Sequence, residues 1–212
     1  MGRLIAFGCS CTYGQCLPDC QGGPDPMLPP GHFKPGPNAS TMAWPSIAAG
    51  NLGMDCVNNG LPGNTNINIA MAILSWDWQT GDRAAVLWTY PDRDTIYTDD
   101  GNRDHLHAFM VDVPHNERAR SFYAAHDIRD LQLRSWMHQD LSARYLASRG
   151  VRFAMASISH WTRHGYPGED HRHISSDNFD CEWIDRASDE LHPGPRQQAI
   201  WGQLFANRLR YG

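Results

Sequence analysis

The sequence predicts an α/β sandwich built on a mostly parallel sheet, and three observations predict it. Short apolar runs of strand length alternate with segments whose apolar residues recur at helical spacing. Glycine, proline and asparagine punctuate the joins, as they do where strands and helices hand over in turn. The loops after the first three runs, Cys9 to Gly14, Asn59 to Asn64 and Thr89 to Asp94, would meet at one crevice at the carboxyl ends of the strands, where such folds bind ligands.

Arg3 to Gly8 is a short apolar run stopped by glycine and reads as a buried central strand. From Gly14 to Ser40 the chain is dense in Gly and Pro, including Gly22-Gly23-Pro24-Asp25-Pro26 and Leu28-Pro29-Pro30-Gly31. That stretch predicts a long surface loop at about 14–40 without regular structure, suited to a lid or binding wall. Thr41 is placed to cap a helix through Trp44, Ile47, Ala48 and Leu52, with Pro45 tolerated in the first turn and Gly53 ending it. Asp55 to Asn59 is the second strand. Asn66 to about Trp78 is apolar at Ile67, Ala70, Met71 and Leu74, a helical spacing, and Ala84 to Thr89 is the third strand.

A polar region from Pro91 to His115 follows. Glu117 to Arg149 then reads as one long helix or two, apolar at Phe122, Ile128, Leu131, Trp136, Leu141 and Leu146, and stopped by Gly150. Val151 to Ser157 is the fourth strand. Ser159 to Asp180 is a polar loop rich in His and Gly, and Pro195 to Leu209 is a final amphipathic helix.

The length of 212 residues suits one domain with one sizeable core, so residues 1–212 are expected to form a single unit. A formal net charge of −5 and the absence of a basic run argue against a nucleic-acid partner. Lys34 is the only lysine. The apolar start at Leu4 to Phe7 is too short for a signal peptide, and no later segment approaches the roughly 20 apolar residues of a membrane helix. The expectation is therefore synthesis in the cytoplasm without a cleaved leader and without a membrane partner. Of six cysteines, Cys9, Cys11, Cys16 and Cys20 crowd together in a C-x-C-x4-C-x3-C spacing that does not match the paired spacings of zinc sites. Reduced thiols, or a local Cys16 to Cys20 disulfide under oxidant, are the simpler readings.

Ser10 follows the first strand directly, where a strand-to-helix turn exposes a hydroxyl and directs backbone N–H groups into the crevice. A serine needs a base within hydrogen-bond reach, and the base needs a partner that fixes its tautomer. Ser188-Asp189-Glu190-Leu191-His192-Pro193 supplies both, because one turn of chain brings a carboxylate to an imidazole three residues on. Singly, each signal is a common turn or cap. Their order along one chain is the stronger observation.

Gly8-Cys9-Ser10, the pair of segments Trp44-Pro45-Ser46 and Val57 to Thr65, and Asp189-Glu190-Leu191-His192-Pro193 together resemble the sequence blocks of the SGNH (GDSL-like) hydrolases, in the expected order over nearly the whole chain. Cys9 stands where that family has Asp. The resemblance implies a three-layer α/β/α sandwich with a flavodoxin-like sheet, and a catalytic set of nucleophile Ser10, base His192 and orienting residue Asp189. It also implies an oxyanion hole from the N–H groups of Ser10 and Gly63; no cofactor and no metal are expected. A Pro62-Gly63 turn explains itself without chemistry as well. The third block departs: the family's Gly-x-Asn-Asp is replaced by Leu87-Trp88-Thr89-Tyr90-Pro91-Asp92-Arg93, leaving Thr89 or Arg93 as substitute donors and Asn64, with Asn66, as pocket candidates.

The implied activity is that of a serine esterase or O-deacetylase acting on a small acyl ester, with an O-acylated carbohydrate as the favoured partner. The alternative is a catalytically degenerate scaffold that binds glycan or serves as a structural component. The long loop and block style also resemble members encoded by bacteriophages, which would make a homo-oligomer or a virion assembly the setting. A cysteine nucleophile, Cys9 or Cys11, is a rival to Ser10. His160, His164, His171 and His173 with Glu169 and Asp170, like His105 and His107, read as solvated polar loop rather than zinc ligands. Trp76, Trp78, Trp88, Trp161 and Trp183 are core residues by default, with stacking on sugar rings as their functional reading.

Overall fold

The computed structural model of the chain describes residues 2–24, 33–97, 103–106, 116–158 and 183–212. Strand β1 (Arg3–Gly8) runs into a single turn of helix, α1 (Ser10–Tyr13). A small antiparallel pair, β2 (Gln21–Pro24) and β3 (Phe33–Pro35), precedes α2 (Trp44–Leu52), β4 (Asp55–Gly60) and α3 (Asn66–Ser75). Then come β5 (Arg83–Trp88), a hairpin of β6 (Asp94–Tyr97) and β7 (Arg103–Leu106), α4 (Glu117–Ala125), α5 (Ile128–Ser148), β8 (Arg152–Ser157) and α6 (Pro195–Tyr211).

The central sheet has the order β4-β1-β5-β8 and every pairing in it is parallel. Strand periodicity splits its side chains between two dry layers. Leu4, Ala6, Ala85, Leu87, Ala154 and Ala156 face α2 and α6, meeting Trp44, Trp201, Phe205 and Leu209, with Trp44 and Phe205 stacked at 4.2 Å. Ile5, Phe7, Ala84, Val86, Trp88 and Met155 face α3 and α5, meeting Ile69, Ile73, Ala143 and Leu146. Strands buried on both faces are apolar throughout, which is why β1, β5 and β8 were readable as unbroken runs. The result is the three-layer α/β fold expected. From β1 the chain crosses to β4 on one side, then returns past β1 to β5 on the other, so the strand order reverses at β1 and opens the crevice at its carboxyl end.

Two expectations are corrected and two others are made specific. The 14–40 segment is not without regular structure, because β2 and β3 pair within it. Thr41 does not cap α2; both its N–H and its hydroxyl bond the Asp19 carboxylate, and the helix begins after Ala43. The polar 91–115 region contains the β6–β7 hairpin. Of the one or two helices expected over 117–149 the chain forms two, separated where Asp127 turns to cap α5 through the Arg129 N–H at 2.7 Å. Among the described residues, no helix is long and apolar enough to cross a membrane.

Candidate active site

The site begins where β1 ends, and close approach of backbone explains that ending. A Cβ on Gly8 would lie 2.0 Å from Thr12 Oγ1 and 2.9 Å from the Leu87 carbonyl oxygen. On Gly60, which is Gly8's partner in β4, it would lie 2.6 Å from Tyr13 N. Only glycines let α1 fold down across the ends of the sheet, and Ser10 becomes its first residue, 5% exposed.

The loop after β4 is pinned to the same spot. Leu61 N and Asn64 Nδ2 both donate to the Gly8 carbonyl, each at 3.1 Å, and Asn64 Oδ1 accepts from Thr65 N at 3.1 Å. Asn64 thus clamps the loop to the end of β1 through its amide. Gly63, at φ 73°, lies between the two anchors. Among the described residues, the N–H groups of Ser10 and Gly63 are given to no acceptor.

The loop after β5 is held by Asn66, whose amide accepts from Thr89 N at 2.9 Å and donates to Thr89 O at 3.1 Å and to Ser135 Oγ on α5 at 2.7 Å. Thr89 and Arg93, the two substitute donors, are brought together: Arg93 Nη1 donates to Thr89 Oγ1 at 3.1 Å, with the guanidinium 5.0 Å from the centre of the Tyr90 ring. Thr89 also hydrogen-bonds the Cys9 thiol. The hydrogen bond from Cys11, helped by the charge of Arg93 and by Thr89 and opposed by burial, holds that thiol well below its ordinary pKa. Cys9 is fully buried and packs in the α2–α6 layer.

Asp189 and His192 sit in a braced loop. Asp185 holds its base by accepting from Arg196 N and Gln197 N at the start of α6, and Arg186 and Pro193 form a bridge across it. At the tip, His192 Nδ1 and Asp189 Oδ2 are 2.6 Å apart, while Asp189 Oδ1 accepts from the backbone N–H groups of Leu191 and His192, both at 3.1 Å. Burial would push the Asp189 carboxyl up, but the hydrogen bonds from His192, Cys16 and Leu191, with the imidazole's charge, hold it down to about 2. A carboxylate so held fixes the proton on Nδ1 and leaves Nε2 as the basic nitrogen.

Two links carry this loop to the serine. Ser188 N and Oγ donate to the Cys16 carbonyl at 3.4 and 3.1 Å, six residues beyond Ser10. Gln198, fully buried on α6, donates to the Cys11 carbonyl at 3.1 Å and accepts from Trp44 N at 2.8 Å. The structure thus brings Asp189 and His192 into direct contact and ties their loop to the segment carrying Ser10; among the described residues no hydrogen bond joins Ser10 Oγ to His192.

Cys9, Cys11, Cys16 and Cys20 are all buried and none is in a disulfide, so no Cys16–Cys20 bridge is present. Among the described residues, the ligand-type atoms that gather within 4.8 Å of one another are those of Cys16, Asp189 and His192, not those of the four cysteines. Trp88 is fully buried, and Trp76 and Trp78 pack on Phe7 in the core layer at 5.7 and 5.9 Å. Trp183 meets Trp201 edge-on at 6.5 Å, with Arg186 over its ring. Trp161, His107 and the residues His160, His164, Glu169, Asp170, His171 and His173 lie outside the described residues, and His105 lies on β7.

Two residues of the site escaped sequence reasoning. Cys16 was hidden in the cysteine cluster and carried no signal of its own. Gln198 did carry one: it occupies the apolar stripe of α6 that continues through Trp201, Phe205 and Leu209.

No protein-family model matches the chain, and none of the curated proteins does. Solved structures do. A protein of the G-D-S-L family from Desulfitobacterium hafniense DCB-2 superposes with a TM-score of 0.51 at 14% identity, covering 99% of both chains. A carbohydrate esterase family 2 enzyme with a carbohydrate-binding domain from Corynascus thermopiles (Myceliophthora fergusii) gives 0.53 at 14% identity, over 98% of this chain and 65% of that one. The acetyl xylan esterase Est2A from Butyrivibrio proteoclasticus gives 0.52 at 12% identity, over 99% of this chain and 63% of that one. This chain spans just under two thirds of the length of those two esterases. At such identities the likeness is one of architecture, and the architecture is the three-layer α/β fold of the SGNH/GDSL hydrolases.

Proposed function

We propose that the protein is a serine ester hydrolase that works through an acyl-enzyme on a small acyl ester, with an O-acetyl group on a carbohydrate as the favoured class. The observation that carries this reading is the Asp189–His192 pair at 2.6 Å in a loop tied to the turn of Ser10. The carbohydrate class draws on the esterases that share the fold.

In this mechanism Ser10 Oγ attacks the ester carbonyl carbon while His192 Nε2 takes the serine proton. The carbonyl π pair moves onto oxygen, where the unspent N–H groups of Ser10 and Gly63 receive it; one such donor is typically worth about 2.7–4 kcal/mol. Collapse breaks the bond to the alcohol, which leaves with the proton from His192. Water then attacks the acyl-serine, giving a proton to His192, and the acid departs as Ser10 Oγ takes that proton back. Asp189 stays ionised throughout and orients the ring. The Ser10–His192 hydrogen bond forms with substrate in place, as catalytic hydrogen bonds commonly tighten only then. Thr89 or Arg93 substitutes for the family's third donor, and Arg93 would bring a full positive charge to the oxyanion.

A second reading is favoured by one observation. Thr89 Oγ1 accepts from Arg93 and its hydroxyl also hydrogen-bonds the Cys9 thiol, while Arg93 is a cation, so neither is a free neutral donor. A degenerate scaffold that binds glycan without cleaving it fits that arrangement.

The deciding experiment is 4-nitrophenyl acetate hydrolysis and fluorophosphonate labelling of wild type, Ser10→Ala, His192→Ala and Arg93→Ala. The hydrolase reading expects turnover and labelling in wild type, no label on Ser10→Ala, loss of turnover in both triad variants and a partial loss of kcat in Arg93→Ala. A folded wild type that neither turns over nor labels sinks it in favour of the binding scaffold. Loss of activity to iodoacetamide, with Ser10→Ala still active, would instead assign a cysteine nucleophile.

A further inference from the structure

Cys16 occupies an unusual place. Its backbone lies at φ 64°, in the left-handed region that residues other than glycine seldom adopt, and its side chain is fully buried. Such a conformation persists where the surroundings over-determine it, and residues so held cluster at functional sites. Here the surroundings are the loop of Asp189. The Cys16 carbonyl accepts from Ser188 N, Ser188 Oγ and Gln21 Nε2 at 3.4, 3.1 and 3.5 Å, and Cys16 Sγ, within 4.8 Å of the ligand atoms of both Asp189 and His192, hydrogen-bonds the Asp189 carboxylate.

The Asp189 carboxylate thus receives four donors. Leu191 N, His192 N and His192 Nδ1 come from its own loop. The thiol comes from a different part of the chain, the segment that begins at Ser10. A carboxylate held only by its own loop could orient His192 relative to that loop; holding it relative to the serine needs a bond from the serine's segment. We infer that Cys16 is a positioning residue of the reaction, its thiol fixing the carboxylate that orients His192 to the segment that carries Ser10.

Two other roles for the thiol fit less well. Two nitrogen or oxygen ligands of one tetrahedral zinc ion stand about 3.3 Å apart, given metal–ligand bonds near 2.0 Å. The 2.6 Å between Asp189 Oδ2 and His192 Nδ1 is the distance of a shared proton. As a nucleophile the thiol would have to abandon the carboxylate it serves.

The inference rests on the hydrolase reading, and its test separates the two. Cys16→Gly removes the donor at a φ that glycine adopts freely, so the loop keeps its backbone, while Cys16→Ser keeps a donor at the same strain. Both are compared with wild type for kcat and KM on 4-nitrophenyl acetate, and for the downfield proton resonance of His192 Nδ1–H in the free protein. A hydrogen bond to a charged group is worth enough that Cys16→Gly is expected to lose about ten-fold or more in kcat, with KM within about two-fold. Its downfield resonance should move upfield or vanish, and Cys16→Ser should restore both. Wild-type kcat with an unmoved resonance in Cys16→Gly overturns the inference, and so does a Cys16→Ser variant as impaired as Cys16→Gly, which would make the residue a packing element. If wild type has no turnover, the hydrolase reading fails by itself, and the resonance in the three proteins still decides what Cys16 does.

Discussion

Asp189 grips His192 twice, through the ring at 2.6 Å and through the backbone N–H of the same residue at 3.1 Å. The ring therefore cannot turn without the carboxylate turning, and the carboxylate is tied to the histidine's own main chain. Replacing it with an amide keeps the shape and breaks the logic, because an Asn side chain can offer N–H to Nδ1 and so favour the tautomer with its proton on Nε2. Asp189→Asn is expected to lower kcat by roughly ten-thousand-fold with little change in KM, the size of loss that the wrong tautomer causes in a serine triad. Steady-state kinetics on an activated acetate ester measures it, and a loss below ten-fold would remove Asp189 from the orienting role.

The same carboxylate makes stability depend on pH in a defined window. Its pKa is depressed in the folded chain to about 2, from an ordinary value of 3.8. The stabilisation is therefore fully present above about pH 4 and is lost as pH falls through about 2, amounting to about 2 kcal/mol at neutral pH. Asp82, beside Arg3, and Asp19, beside Ser40 and Thr41, are also held low against the opposing effect of burial. Wild type alone therefore cannot isolate Asp189. The expected result is a gap in urea unfolding free energy between wild type and Asp189→Asn that is open at pH 7 and narrows steadily between pH 4 and 2. A gap that stays constant across that range would mean the carboxylate is not held down by its donors.

Gly60 shows how a position with no chemistry of its own governs the site. Its partner in the sheet is Gly8, and a methyl group there would meet Tyr13 N at 2.6 Å, a backbone atom that cannot swing aside. Gly60→Ala is expected to push α1, and Ser10 with it, away from the sheet, destabilising the fold by about 1–3 kcal/mol. Labelling by fluorophosphonate should slow more than the melting temperature suggests, since a displacement of about 1 Å can cost about a hundred-fold in rate. Wild-type labelling kinetics in a folded Gly60→Ala protein would contradict the close approach.

The parts of this molecule that were legible from sequence are those whose signal is local. β1, β5 and β8 announce themselves by apolar runs because their side chains enter the dry layers on the two faces of the sheet, and α3 and α6 by periodicity. The turn at Ser10 and the contact of Asp189 with His192 follow from residues one to three positions apart. What sequence left dark depends on contacts between distant segments. Thr41 looked like a cap because Ser and Thr cap helices locally, yet Asp19, 22 residues earlier, takes its donors. The β2 and β6 hairpins contain glycine, proline or charged residues in strands too short to alternate visibly. The bond from the Asn64 amide to Gly8, 56 residues away, likewise has no local signal.

Gln198 is the longest of these connections and the one with the largest expected cost. It is separated from Trp44 by 154 residues and from Cys11 by 187, and it is fully buried. Because α2 has no side-chain cap of its own, the Gln198 carbonyl serves as one, taking the first helical N–H at Trp44 at 2.8 Å. The amide's other end holds the carbonyl of Cys11, the residue after Ser10. Gln198→Leu has nearly the right volume for the Trp201–Phe205 stripe but leaves a buried donor and a buried acceptor unpaired, each costing about 1–3 kcal/mol. The variant is expected to lose about 2–4 kcal/mol in denaturant unfolding and, where still folded, to turn over more slowly because the serine turn has lost its tie to α6. Unchanged stability would mean that water replaces both bonds. Lost stability with wild-type kcat would mean that Ser10 is held by β1 and Gly60 alone, and that α6 serves only to carry the Asp189–His192 loop.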